Sequence, residues 1–379
     1  MVPEAGAALA LAQALIARAS VTPQDAGCQA LLAERLGGAG FRCEAMPFGA
    51  VRNLWARRGC NAPVFCFLGH TDVVPPGPRT DWTTDPFSPT VRDGRLYGRG
   101  AADMKSSIAA FVVAAETFVR ERPAHRGSIA LLLTSDEEGP ALDGTARVVA
   151  NLARRGERLD WCLVGEPSST ERLGDTIRIG RRGSLSARLT VRGVEGHVAY
   201  PEKVRNPVHA LAPALAELAA MRWDEGTAEF PPTSFQVSSL HAGSGAENVV
   251  PALASLACNF RFSPASTEAC LCERFEAVLR RHGLDYEVQW TLGARPFLSA
   301  RGALLAAVRS AVRSHTGSEP TESTGGGTSD GRFVIEICPE VVELGPVNAS
   351  IHKRDEHIEL EALECLPRIY LDVLRSLLG

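Results

Sequence analysis

The stretch Val64-Phe65-Cys66-Phe67-Leu68-Gly69-His70-Thr71-Asp72 decides how the chain is read. Five apolar residues in succession, with none polar to turn toward water, describe a strand covered on both faces. Such strands belong to a sheet sandwiched between helices. The run then meets a glycine and breaks into His, Thr and Asp. In open α/β sheets ligands gather beyond the carboxyl ends of the strands, so a polar cluster there marks a candidate site.

The pattern recurs at three other places. Ile129–Leu133 leads into Ser135-Asp136-Glu137-Glu138-Gly139, and Trp161–Val164 into Gly165-Glu166-Pro167-Ser168. Val341–Leu344 leads into Gly345-Pro346-Val347-Asn348 and then His352. Helical stretches lie between the runs, Met104–Arg120 among them, rich in Ala and Val. Taken singly, each carboxylate reads as a solvated loop residue or a helix cap. Four strand ends carrying two His and several carboxylates should converge, and such a cluster needs a cation to balance it. Imidazole with carboxylate suits zinc, and two His with three carboxylates can hold a pair of ions if one carboxylate bridges. Asp72, beside His70, is placed to fix that ring's tautomer.

The middle of the chain has a different period. Leu185, Ala187, Leu189 and Val191 alternate with polar residues, as do Leu256, Cys258, Phe260 and Phe262, and Tyr286, Val288, Trp290 and Leu292. Period two marks an antiparallel sheet with one covered face. Helices are expected near Pro207–Met221 and Thr267–His282, and a further strand near Ser234–His241. The order strand, helix, strand, strand, helix, strand is the ferredoxin-like split pattern. The expected organisation is therefore a mixed-sheet α/β domain over 1–181 and 294–379, interrupted by an α+β insert at 182–293.

Composition narrows the class. The 379 residues are 45% hydrophobic and 22% charged with a net charge of −4, so no basic excess points to nucleic acid. Ten cysteines without a Cys-x-x-Cys pair read as reduced thiols, in a cytoplasmic protein. Gly6–Ala17 is apolar, but Glu4 precedes it and Gln13 and Arg18 interrupt it, which suits an amphipathic helix better than a leader. No run approaches the ~18 apolar residues of a membrane span. No nucleic-acid or membrane partner is expected.

Two glycine-rich segments invite other readings. Gly98-Arg99-Gly100-Ala101-Ala102-Asp103 begins like a dinucleotide fingerprint, but Asp103 stands in place of the third glycine and no uninterrupted strand precedes it. Gly325–Gly331 lacks the lysine of a phosphate loop; it is either a flexible turn or a close approach of backbone N–H groups to a carboxylate. His125, His209, His282 and His315 read as surface or packing residues, and His357, five residues past His352, is off the usual ligand spacing. His197 differs, lying in a loop flanked by Gly196 and Pro201.

The motifs Gly69–Gly77, Gly98–Lys105, Thr134–Glu138 and Val164–Ser168 resemble those of the aminoacylase and carboxypeptidase family of two-zinc hydrolases. Gly180–Ser184, Gly196–Pro201, Gly326–Phe333 and Glu343–Asn348 extend the resemblance nearly end to end. It implies amide hydrolysis with two zinc ions per subunit, for which cobalt or manganese can substitute. His70 and Glu166 would hold one ion, Glu138 and His352 the other, with Asp103 bridging and a cis peptide at Asp103–Met104. Glu137 matches the general base, and Asp72 the partner of His70. His197 matches a histidine that reaches the neighbouring subunit's site, in a homodimer joined through the insert. Arg181 and Arg261 would grip a small substrate bearing several carboxylates. Tyr200, Asn248, Thr328 and Asn348 match further substrate contacts. Ser106, where glycine is common, and Gly139-Pro140 depart from the pattern without removing a ligand. The rival readings are a deacylase of smaller N-acyl amino acids, such as acetylornithine, and a zinc-binding protein without catalysis.

Overall fold

In the computed structural model, which describes residues 1–379, the four apolar runs stand side by side as parallel strands. Their order is Ser128–Thr134, Val64–His70, Trp161–Val164 and Glu340–Glu343. Asn53–Arg58 and Arg42–Ala45 add antiparallel strands on one flank, and Thr176–Arg178 and Thr321–Ser323 complete the other. The result is an eight-stranded mixed sheet in an α/β unit, as the run pattern predicts. Every residue of Val64–His70 and Ser128–Thr134 is buried, which explains why neither run alternates.

Register brings the strand ends level. His70 pairs with Thr134, Leu68 with Val164, and Val164 with Glu343. The loops that follow these four strands therefore leave from one edge.

The helix Lys105–Glu121 has 14 of its 17 residues buried, as its all-round apolar composition requires. Phe111 stacks on Phe67 with centroids 4.3 Å apart, and Tyr370 of the helix Leu360–Leu378 meets Phe67 edge-on at 5.8 Å. Each such pair adds about 0.5–1.5 kcal/mol beyond burial. The Tyr370 hydroxyl donates to the Leu344 carbonyl at 2.7 Å, just beyond the Glu340–Glu343 strand. The Ala7–Ile16 segment is a helix with Leu11, Leu15 and Ile16 in the core. No helix is long and apolar enough to cross a membrane.

The second unit comprises Arg181–Phe297 and Thr324–Thr328. Its antiparallel sheet runs in the order Ser234–Ala242, Leu253–Phe262, Gly183–Arg192 and Tyr286–Ala294. The helices Pro207–Ala220 and Glu268–Arg281 supply Leu218 and Phe275 to a core with Leu185, Leu189, Leu256 and Phe260. Asn206 and Thr267 cap these helices through their side-chain oxygens. Whereas the sequence reading placed the insert at 182–293, this unit also takes in Arg181, Ala294–Phe297 and Thr324–Thr328. Ala294 completes the last strand opposite Ser184, and Arg181 Nη1 donates to the carbonyls of Gly325 and Gly327 at 3.1 and 3.3 Å. Side-chain bonding of this kind leaves no periodic trace in sequence.

Candidate metal centre

His70 is the last residue of its strand and is buried. Its Nε2 lies 3.2 Å from Asp103 Oδ1 and 3.6 Å from Glu166 Oε1. His352 Nε2 lies 3.0 Å from Glu138 Oε1 and 3.4 Å from Asp103 Oδ2. Asp103 thus offers one oxygen to each imidazole. The five residues divide into two groups sharing Asp103, and within each group the donor atoms lie within 4.8 Å of one another. One nitrogen and two carboxylate oxygens per group is a donor set that suits a divalent ion such as zinc.

The charge balance points the same way. Burial alone would raise Asp103, but hydrogen bonds from His352 and His70 hold its carboxyl well below the usual range. Asp103 and Glu138 push His352 up to about 10. Three carboxylates crowd the two imidazoles, which is the environment a metal pair would neutralise. Glu137 keeps some exposed surface, yet protein surrounds its carboxyl. Burial first, and then the negative charge of Glu166, push it well above the usual carboxylate range.

Local packing explains the residues around the ligands. Met104, joined to Asp103 by a cis peptide, lies across Gly69 and Gly165. A Cβ at Gly69 would sit 2.8 Å from Met104 Cε, and one at Gly165 would sit 2.6 Å from it. The glycine before each of His70 and Glu166 therefore makes room for this side chain. His352 has φ 59°, a left-handed conformation uncommon outside glycine and frequent where strain serves a site.

Asp72 works differently from the expectation. His70 Nδ1 is 2.9 Å from the Asp72 main-chain carbonyl and 3.7 Å from its carboxylate. The carbonyl fixes the tautomer, with Nδ1 donating and Nε2 free to ligate. The Asp72 carboxylate instead accepts from the backbone N–H groups of Glu137 and Glu138, at 3.4 and 3.1 Å. It holds the loop that presents both glutamates. Lys105 has no role assigned from sequence beyond its place in the Gly98–Lys105 motif. Its fully buried ammonium donates to the carbonyls of Leu15 and Arg18 at 2.9 and 2.8 Å, closing the end of the first helix beside the site. A lysine opening an otherwise apolar helix was the available signal.

In the second unit, His197 and Asn248 are neighbours because Gly196–His197 pairs with Val249–Val250 and Val198 N–H donates to the Asn248 carbonyl at 3.1 Å. Tyr200 sets its ring edge-on to His197 at 5.9 Å, and all three residues are exposed. His197 Nδ1 accepts from Ala199 N–H at 3.0 Å, which leaves Nε2 to carry the proton. Arg261 lies on the Leu253–Phe262 strand opposite Ser184. Thr328 is half-buried in the loop tied down by Arg181, whose bonds go to loop carbonyls. In the α/β unit, Asn348 opens a short 3-10 turn, its N–H donating to the Ser169 carbonyl at 3.0 Å.

The model of peptidase family M20/M25/M40 matches residues 66–376. The chain belongs to this family. Within it, a succinyl-diaminopimelate desuccinylase of Bordetella bronchiseptica is 62% identical over 374 residues, covering 99% of each chain. One of Alkalilimnicola ehrlichii is 61% identical over 371 residues, covering 98% of this chain and 99% of its own. Among solved structures, an M20 family metallo-carboxypeptidase from Sulfolobus solfataricus shares the fold at a TM-score of 0.83, with 18% identity and 98% of each chain covered. The family expected from the motifs is thus the family found.

Proposed function

We propose that this chain hydrolyses the amide of N-succinyl-LL-2,6-diaminopimelate, releasing succinate and LL-2,6-diaminopimelate for lysine and peptidoglycan precursor synthesis. The observation that carries the chemistry is the pair of donor groups joined through Asp103, with Glu137 standing beside them. The near-full-length identity to desuccinylases carries the substrate.

His70 and Glu166 would hold one zinc, Glu138 and His352 the other, and Asp103 would bridge. When bound, the ions supply Lewis acidity toward the scissile carbonyl and acidify water in the site. Glu137 takes the proton of the attacking water and passes it to the leaving amine. Asp72 keeps Glu137 and Glu138 in place through their N–H groups. His197 Nε2–H donates to the oxyanion as it forms. Arg261 and Arg181 recognise substrate carboxylates, Arg181 also setting the Gly-rich loop that carries Thr328. Tyr200, Asn248 and Asn348 complete the substrate contacts.

We further read the protein as a homodimer built through the second unit. Its Ser234–Ala242 strand lies at a sheet edge and is largely exposed, with Val237 and Leu240 open to solvent. An uncovered edge of this kind is a template for pairing with a second copy.

Turnover of N-succinyl-diaminopimelate and N-acetylornithine, measured side by side with zinc-loaded protein, tests the substrate. Succinate release should dominate by a wide margin. Preference for the acetyl substrate would replace this reading with that of a smaller-acyl deacylase.

A further inference from the structure

The Gly98-Arg99-Gly100-Ala101-Ala102-Asp103 segment has the glycines of an anion cradle and serves no nucleotide. Its anion is internal. Glu356 is fully buried, and its Oε2 accepts from Arg99 Nη1 at 2.7 Å and Gly100 N–H at 3.0 Å. Its Oε1 accepts from the N–H groups of Ala102 and Asp103, both at 2.9 Å. The main chain joins in: Gly98 N–H donates to the Glu356 carbonyl at 2.9 Å, and Arg99 reaches the Lys353 carbonyl at 3.1 Å. Gly100 has φ +85°, and a Cβ there would meet Val73 at 2.8 Å, so only glycine lets the loop wrap this closely. Arg99 is itself buried and lies over the Trp82 ring at 5.0 Å.

These bonds have a direction. Asp103 gives its N–H to Glu356 while its carboxylate faces His70 and His352. Glu356 follows His352 in the same loop, and His352 itself has a half-exposed side chain. A ring so lightly covered takes its place from the loop that carries it. That loop is pinned at Glu356, and by Ser350, whose Oγ donates to the His357 carbonyl at 3.0 Å.

We propose that Glu356 is a positioning residue for the metal centre. Its carboxylate locks the loop ending in Asp103 to the loop carrying His352, and so sets the spacing between the bridging carboxylate and the second imidazole. The proposal rests on the two-metal reading above. A shell of this kind around ligands tunes metal affinity by about 10–100-fold. Replacing the carboxylate by an amide keeps the shape but turns one acceptor into a donor, facing two N–H donors with no acceptor.

The test is zinc titration of demetallated, full-length protein against a chelating indicator. Wild type, Glu356→Gln and the core variant Phe118→Leu are compared, with melting temperatures taken before metal is added. Wild type should bind two zinc ions. Glu356→Gln should raise at least one dissociation constant by about 10–100-fold. Phe118→Leu should lose stability yet keep wild-type affinities. Unchanged affinities in Glu356→Gln, or an equal loss in Phe118→Leu, would overturn the positioning role. If Glu356→Gln does not fold, Arg99→Lys carries the test, since it keeps the charge but shortens the reach by which Arg99 Nη1 bonds both Glu356 and the Lys353 carbonyl; wild-type affinity there would overturn the proposal. A wild type that binds no zinc would instead bring down the metal reading itself.

Discussion

Three candidate residues of the α/β unit and three of the second unit are held in opposite ways. In the α/β unit His70, Asp72 and Asp103 are buried; the Asp72 carbonyl of its own loop holds His70, and bonds to other loops of the same edge hold Asp72 and Asp103. In the second unit His197, Tyr200 and Asn248 are exposed and held by a two-residue strand pair and a ring contact. A metal centre tolerates little error in ligand position, which suits the buried His70 and Asp103, whereas the half-exposed His352 takes its place from its loop. Residues on lightly held loops are freer to move. The contrast predicts where substitutions disturb chemistry and where they disturb the framework.

On the lightly held side a large effect is expected. His197→Ala should lower turnover by about 10²–10³-fold, as for a lost oxyanion donor, with zinc content unchanged. If His197 serves the neighbouring subunit, mixing inactive Glu137→Ala and His197→Ala dimers restores activity. Random exchange makes half the dimers mixed and half of their sites complete, so recovery should reach roughly a quarter of wild type. No recovery, with exchange shown by a labelled subunit, would place His197 in its own subunit's site.

A smaller effect should come from the framework. Lys105→Met removes two buried charge-assisted hydrogen bonds, to the Leu15 and Arg18 carbonyls, at about 1–3 kcal/mol, although each carbonyl keeps a backbone donor, Arg18 N–H and Ser20 N–H respectively. The melting temperature should fall by about 2–4 °C per kcal/mol, with KM for the succinyl substrate little changed. A large rise in KM with unchanged stability would mean that Lys105 belongs to the substrate site.

The same contrast governs what could be read from the chain alone. The buried strands announce themselves as unbroken apolar runs, and their polar ends follow, so the ligand edge is legible from Val64–Asp72 outward. The second unit's alternation, Leu185 to Val191, gives its sheet as plainly. Residues whose role depends on a partner far along the chain leave no such trace. Glu356 lies 253 residues beyond the Asp103 amide it binds, and nothing near it in sequence marks it as buried. Asp72 shows the intermediate case: its place beside His70 is legible, but the task divides between its carbonyl and its carboxylate. His197 stood out only by its loop, and its role came from resemblance, because an exposed histidine carries no burial pattern.

The central claim is that this edge both binds two metal ions and performs proton transfer through a residue that binds neither. Zinc stoichiometry and succinate release, measured together in Glu137→Gln, test it most directly. The account predicts close to two zinc ions per subunit, as in wild type, and turnover lowered by about 10²–10⁴-fold. Loss of a zinc ion from Glu137→Gln, or near-normal turnover with both ions bound, would contradict it.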